Sequence, residues 1–159
     1  MKKKHNSALR SSALQITFIS LSAALLTLAA APAAMATPCV ETAGYWANHP
    51  NAWCIQNIQL GTQVYTQDQA IAIIRNSTSG DKTYSLAAQL IAAKLNTLCA
   101  GADSSCAASA MSNADTWLAQ YPVGSNVPAK SAAWKQISPS NDTLSLYNQG
   151  HLCVPECRS

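Results

Sequence analysis

The chain has 159 residues, of which 48% are hydrophobic and 11% are charged, and its formal net charge is +3. Four of its ten basic residues precede residue 11. The rest of the chain has six basic and seven acidic residues, so its formal net charge is −1. Such a chain lacks the basic surface that binds phosphate groups, so its composition argues against a nucleic-acid partner.

The first 36 residues have the three parts of an export signal: a cationic start, an apolar stretch over 13–31, and an A-x-A cleavage site at 34–36. An uncleaved membrane anchor is the alternative, because about 20 apolar residues span a bilayer. Against it, Pro32 interrupts the stretch and no cationic stop follows. A lipoprotein signal is disfavoured because Pro38, rather than a small residue, precedes Cys39. We predict a signal peptide over 1–36, one secreted domain over 37–159, and no membrane contact after cleavage.

An aromatic segment opens that domain, and we expect it to be irregular, with one helical turn. The residues that could bind a ligand are Tyr45, Trp46, Asn48, His49 and Trp53. Their rings could stack on a sugar or a peptide while Asn48 supplies a polar contact. The alternative is that the rings fill core volume, as large aromatic side chains in small domains usually do. The pattern alone leaves both interpretations open.

A short β-hairpin is predicted near residues 58–65, with Gly61 and Thr62 forming a type II′ turn. Thr66 then begins a helix, because Gln69 three residues later completes a capping box. Residues 76–80 end that helix.

Four further helical segments follow. Residues 85–99 carry one apolar stripe, from Leu86 to Leu98, and form the expected central helix. A helix over 104–120 has Asp103 or Ser104 as its cap. A short helix over 128–137 and a last one capped by Asp142 complete the chain. The predicted fold is therefore all-α, a small disulfide-stapled bundle of four to five helices with a short hairpin.

All six cysteines follow the predicted cleavage site: Cys39, Cys54, Cys99, Cys106, Cys153 and Cys157. An even number in an exported chain indicates three disulfides and a secreted, periplasmic or cell-surface location. Fifteen pairings are possible. A local Cys99–Cys106 bridge is plausible, and the first two cysteines could be tied to the last two. No C-x-x-C spacing suggests a metal site.

Catalytic motifs are absent from the sequence, including G-x-S-x-G, H-E-x-x-H and the P-loop. His49 and His151 could meet if disulfides join the ends, but a metal site would also need Glu41 or Glu156. A histidine held by a hydrogen bond inside the aromatic segment is the simpler interpretation. We therefore predict no catalytic residue, no metal and no cofactor.

The chain resembles a group of uncharacterised bacterial secreted and surface proteins that share the pattern G-Y-W-x-N-H-x-x-x-W. The matching residues are Cys39, Gly44 to Trp53, Leu60-Gly61, Tyr65-Thr66, Leu86 to Asn96, Gly101-Ala102-Asp103 and Tyr147 to Gly150. Ala47 replaces the usual lysine, and Cys54, Cys99, Cys106 and one of the last two cysteines are additional. The resemblance implies an exported domain, often attached to larger surface proteins, without an assigned activity.

The leading hypothesis is a non-enzymatic extracellular or cell-surface interaction or structural domain. Its ligand is unknown, with a cell-wall glycan or a surface protein as the candidate partner. The alternatives are a small secreted hydrolase with a His-based, metal-assisted site, and a disulfide-stapled inhibitor or effector.

Overall fold

The computed structural model describes residues 38–77 and 80–157. The predicted signal peptide lies outside the described residues. Within them, the elements are α1 (Ala43–Asn48), a 3-10 helix (Pro50–Ala52), β1 (Asn57–Leu60), β2 (Gln63–Thr66), α2 (Gln67–Arg75), α3 (Lys82–Leu98), α4 (Ala108–Gln120) and α5 (Ala132–Asn148). The fold is mostly helical, as predicted, but the hairpin means that it is not purely all-α.

The aromatic segment is more regular than expected, because it forms α1 and the 3-10 helix. Thr42 begins α1 by accepting a hydrogen bond from the backbone N–H of Tyr45. Pro50 occupies the first turn of the 3-10 helix, where its missing N–H costs no hydrogen bond.

The two strands are antiparallel, with Ile58 opposite Tyr65. Gly61 has φ +59°, the left-handed value that the first position of a type II′ turn requires. A side chain at Gly61 would meet the backbone nitrogen of Ala119 at 2.5 Å. The backbone N–H of Gly61 also donates to Asp115 Oδ1 at 2.9 Å, so the turn is held against α4.

Thr66 and Gln69 form the predicted capping box at the start of α2. The helix buries Ile71, Ile73 and Ile74 and ends at Arg75. Its buried face lies against α3, so α2 forms one side of the core.

The central helix α3 begins three residues earlier than predicted, because Asp81 caps it by accepting from the backbone N–H of Thr83. Leu86, Leu90 and the rest of the stripe through residue 95 are fully buried. Leu98 is 60% exposed, so its assignment to the apolar stripe was wrong. α2, α4 and α5 all pack on this helix.

The helix expected over 104–120 begins only at Ala108. Asp103 does not cap it, because its carboxylate accepts from the backbone N–H and the hydroxyl of Ser105 in the preceding turn. Trp117 and Leu118 supply the buried face near its end.

α5 is one continuous helix where two short ones were predicted. Ser131 caps it, and Pro139 lies in its interior. Proline cannot bond the carbonyl four residues earlier, which is that of Lys135. The hydroxyl of Ser138 approaches that carbonyl at 3.4 Å and partly replaces the lost donor, so the helix continues.

The three disulfides are Cys39–Cys157, Cys54–Cys99 and Cys106–Cys153. The plausible Cys99–Cys106 bridge was wrong, because each of these cysteines reaches a distant partner instead. The expectation that early and late cysteines are joined is confirmed for Cys39 and Cys157. Disulfides in this number are typical of extracellular proteins. No helix within 38–77 or 80–157 is long and apolar enough to cross a membrane.

Candidate ligand-binding surface

The two tryptophans of the aromatic segment are core residues. Trp46 is 3% exposed and Trp53 is 7% exposed, and their rings meet edge to face with centroids 6.5 Å apart. Trp53 Nε1 donates to the Trp46 carbonyl at 2.9 Å, and Trp46 Nε1 donates to Asn96 Oδ1 at 3.0 Å. Both rings therefore have their polar atoms satisfied inside the protein and offer little surface to a ligand. We call these two rings and Tyr45 the aromatic cluster.

Asn96 connects the aromatic cluster to the rest of the core. Its Oδ1 also accepts from the backbone N–H of Glu41 at 2.8 Å, and its Nδ2 donates to the carbonyl of Glu41 at 2.9 Å. The same Nδ2 donates to Asn148 Oδ1 at 3.1 Å. Asn148 in turn donates to the backbone and side-chain oxygens of Gln89. This network joins α1, α3, α5 and the chain beside Cys39 through fully paired buried amides.

The other three predicted binding residues reach the surface. Asn48 and His49 are exposed, and Tyr45 is half-buried. The Tyr45 and His49 rings stack with centroids 4.1 Å apart, and His49 Nδ1 lies 2.9 Å from the Tyr45 carbonyl. Of the five predicted binding residues, two are thus buried and three reach the surface. Ligand binding by this segment stays a prediction.

Glu41 and Glu156 lie close enough to interact electrostatically, and His49 also acts on Glu41. Burial raises the pKa of Glu41 and the Glu156 charge raises it further, while His49 opposes both effects. His151 is exposed, and among the described residues it forms no hydrogen bond with Glu41 or Glu156. In the part of the chain that the structure describes, no three His, Cys, Asp or Glu side chains are arranged to hold a metal ion.

A groove of about 660 Å³ runs between the aromatic segment and α2, and we call it the motif groove. Its residues are Ala47, Pro50, Asp68, Ile71, Ala72, Arg75 and Asn76. Arg75 Nη2 donates to the Ala47 carbonyl at 3.1 Å, which holds the guanidinium against the end of α1. The groove thus carries one acidic and one basic side chain.

A second depression, of about 310 Å³, adjoins the motif groove along α2, and we call it the tyrosine cleft. Its residues are Tyr65, Gln69, Ala72, Ile73, Asn76, Tyr84 and Val123. Tyr65 comes from β2, Tyr84 from the first turns of α3, and Val123 from the loop after α4. Both tyrosines are half-buried, so part of each ring faces the cleft.

Asp81 holds the wall of the tyrosine cleft by binding the loop after α4. Its carboxylate accepts from the backbone N–H groups of Thr83, Asn126 and Val127 at 2.9–3.0 Å. The hydroxyl of Thr83 accepts from the backbone N–H of Gly124 at 3.0 Å. Partial burial alone would raise the pKa of Asp81, but these donors outweigh it and lower the pKa below its ordinary value. The loop is therefore fixed by charge-assisted hydrogen bonds.

The hydroxyl of Tyr65 is a neutral donor at physiological pH. Burial raises its pKa, the nearby Tyr84 raises it further, and the backbone amide of Val123 opposes the shift. A tyrosine whose pKa lies above the ordinary value of 10.0 is protonated at neutral pH. The cleft therefore offers an uncharged phenol.

Ala72 and Asn76 line both depressions, so the motif groove and the tyrosine cleft meet over α2. We call the combined area the α2 surface. Because the Ala72 side chain is a single methyl group, the ridge between the two depressions is low. Sequence reasoning missed this surface, since its two tyrosines come from different elements and no motif or regular spacing links them.

Comparisons of the chain with protein-family models, with curated proteins and with solved structures found no match.

Proposed function

We propose that the protein is an exported, non-enzymatic binding domain whose ligand lies across the α2 surface. The observation that carries this proposal is the meeting of the motif groove and the tyrosine cleft at Ala72 and Asn76. Together they form a path lined by aromatic, amide and apolar side chains with one acidic and one basic residue, and ligand sites commonly combine apolar lining with a few polar groups.

The scaffold supports this role because it holds the α2 surface rigidly. The capping box fixes the start of α2, and Asp81 fixes the loop that carries Val123. Three disulfides restrict the rest of the chain. A site formed before the ligand arrives loses less conformational entropy on binding, so preorganisation favours affinity.

The proposal also places the chain in the group of bacterial secreted and surface proteins that share its aromatic pattern. In this assignment, Trp46 and Trp53 build the core, while Asn48 and His49 are exposed between Ala47 and Pro50, which line the motif groove. The aromatic segment then contributes to binding mainly by positioning Ala47 and Pro50 against α2.

The test uses the exported protein purified from expressing cells, in its disulfide-bonded form. Its binding to immobilised oligosaccharides and to immobilised peptides is compared with that of Ala72→Arg and a control, Ala108→Arg. Ala72 and Ala108 are both exposed helical residues, and only Ala72 lies in the α2 surface. Thermal unfolding of all three proteins establishes that they are folded.

We expect wild type and Ala108→Arg to bind at least one probe class, and Ala72→Arg to bind it at least tenfold more weakly. The long arginine side chain would block the path between the two depressions. Equal binding by all three proteins, or no binding to either probe class, would contradict the proposal.

A further inference from the structure

We infer that the tyrosine cleft binds an uncharged oligosaccharide, an inference that rests on the proposed binding function. The cleft combines two phenol rings, the side-chain amides of Gln69 and Asn76, and apolar side chains, with no formally charged residue among them. The motif groove differs, because Asp68 and Arg75 line it. An uncharged lining favours an uncharged ligand.

The available polar groups in the cleft match hydroxyl-rich ligands. The Asn76 amide can both donate and accept, and so can a protonated tyrosine, so these groups can meet a sugar hydroxyl in either role. Gln69 keeps its Nε2 donor, because its Oε1 accepts from the backbone N–H of Thr66. The flat apolar faces of Tyr65 and Tyr84 can pack on the C–H face of a sugar ring. A pyranose presents both kinds of surface at once.

A peptide fits the cleft less well because of the backbone of the cleft wall. Gln69, Ala72 and Ile73 belong to α2 and Tyr84 to α3, so their backbone groups take part in helical hydrogen bonds. A peptide that binds by strand addition would need unpaired N–H and C=O groups along the wall. Side-chain amides and phenols supply most of the polar contacts here.

None of the described residues that line the cleft is a cation that could pair with an acidic sugar. The nearest basic residues on α2 and α3 are engaged elsewhere, since Arg75 donates to the Ala47 carbonyl and Lys82 Nζ lies 5.7 Å from the centroid of the Trp134 ring. The neighbouring carboxylate of Asp81 accepts hydrogen bonds from backbone N–H groups. The side chains that line the cleft thus carry no formal charge.

The experiment titrates the exported protein by calorimetry with three kinds of probe. The neutral probes are chitotriose, cellotriose and maltotriose, the acidic probe is a galacturonic acid trimer, and the third kind is an uncharged tripeptide. We expect binding of at least one neutral trisaccharide and at least tenfold weaker binding of the acidic trimer.

Two substitutions assign the binding to the cleft. Tyr84→Ala removes a ring, and we expect at least a tenfold loss of affinity. Asn76→Asp keeps the side-chain shape but adds a charge and removes a donor, so we expect a loss of about fivefold or more. Asn113→Asp makes the same change at an exposed position on α4 and should leave affinity unchanged. Because Asn76 is exposed, its variant remains informative even if Tyr84→Ala does not fold.

The outcomes separate the inference from the proposed function. If the acidic trimer or the tripeptide binds instead, and Ala72→Arg abolishes that binding, the inference fails while the proposed function stands. If a neutral trisaccharide binds equally to wild type and Asn76→Asp, the cleft is not its site and the inference fails. Absence of binding by every probe, including the immobilised panels, overturns both.

Discussion

The aromatic cluster and the tyrosine cleft contain the same kinds of side chain and use them in opposite ways. In the aromatic cluster, the indole nitrogens of Trp46 and Trp53 donate to acceptors inside the protein. In the tyrosine cleft, Tyr65 and Tyr84 keep part of their rings at the surface, beside the exposed amide of Asn76. The first region uses the hydrogen-bonding capacity of its indoles in folding, whereas the second leaves the exposed Asn76 amide available.

Under the proposed function, the conspicuous aromatic segment is not itself the main binding surface. A domain of this size has few large side chains, so the largest are needed for its core. In the proposed site, the binding residues come from several elements that the fold brings together.

The largest expected effect comes from removing the Cys39–Cys157 disulfide, which lies two residues from Glu41. Replacing Cys39 and Cys157 by serine should lower the free energy of unfolding by about 5 kcal/mol, because this pair closes the longest loop, with a sequence separation of 118. The matched control replaces Cys106 and Cys153, which are separated by 47 residues, and should cost about 4 kcal/mol. Denaturant unfolding measures both.

Removing Cys39–Cys157 should also loosen Glu41, whose backbone is bound to Asn96. We therefore expect the near-ultraviolet signal of the buried tryptophans to weaken in this variant more than in the control. A larger loss of stability in the control would mean that the cluster does not depend on this cross-link.

The second effect tests the internal pairing of the aromatic cluster. Asn96→Leu has a similar volume but leaves the Trp46 N–H, both backbone groups of Glu41 and the Asn148 oxygen without their partner. We expect a loss of about 3–4 kcal/mol, because the Trp46 N–H and the Asn148 oxygen are buried and each costs about 1–3 kcal/mol when unpaired, whereas the Glu41 groups are only partly buried. Denaturant unfolding checks it.

Asn113→Leu provides the control for this change, because Asn113 is exposed on α4. A surface substitution of this kind should alter stability by about 0.5 kcal/mol or less. Similar values for the two variants would show that the buried amide network contributes nothing specific.

The smallest expected effect concerns the tyrosine cleft. Asp81→Asn keeps the shape of the cap but removes the charge that binds the wall of the tyrosine cleft, so we expect a loss of about 1 kcal/mol at pH 7. The folded-state pKa is lowered, so the charge stabilises the protein above the ordinary value of 3.8. That stabilisation is lost as the pH falls through the folded-state pKa.

The difference in stability between wild type and Asp81→Asn should therefore be constant from pH 7 to about pH 5 and should shrink below pH 3.8. Asp142→Asn, an exposed carboxylate on α5, is the control. If the Asp81 difference grew as the pH fell, the assignment of the charged form as the stabilising one would be wrong.

Local chemistry made part of the fold predictable from the sequence. The capping box of Thr66 and Gln69 and the left-handed turn residue Gly61 each depend on neighbours within a few positions. The division of α5 into a helix over 128–137 and a last one capped by Asp142 was wrong, because it rested on local signals alone. Packing on α3 and α4 keeps α5 continuous, and no short segment reveals that packing.

The candidate site was less predictable because its residues are joined only by tertiary structure. Tyr65 and Tyr84 come from a strand and a helix, and Val123 reaches them through a loop that Asp81 holds. The aromatic segment left two interpretations open, and its tryptophans lie in the core because Asn96, far along the chain, accepts from Trp46. The disulfide pairing likewise depended on which distant segments meet.

The Cys39–Cys157 bond also determines how the domain would respond to mechanical force. The two Cα atoms are 4.9 Å apart, and Val40 exchanges backbone hydrogen bonds with Pro155 and Cys157 beside them. Tension applied to the chain on either side of this pair would pass through a covalent link and bypass the helices between them. The α2 surface would keep its shape under a load that unravels a domain pulled through its core.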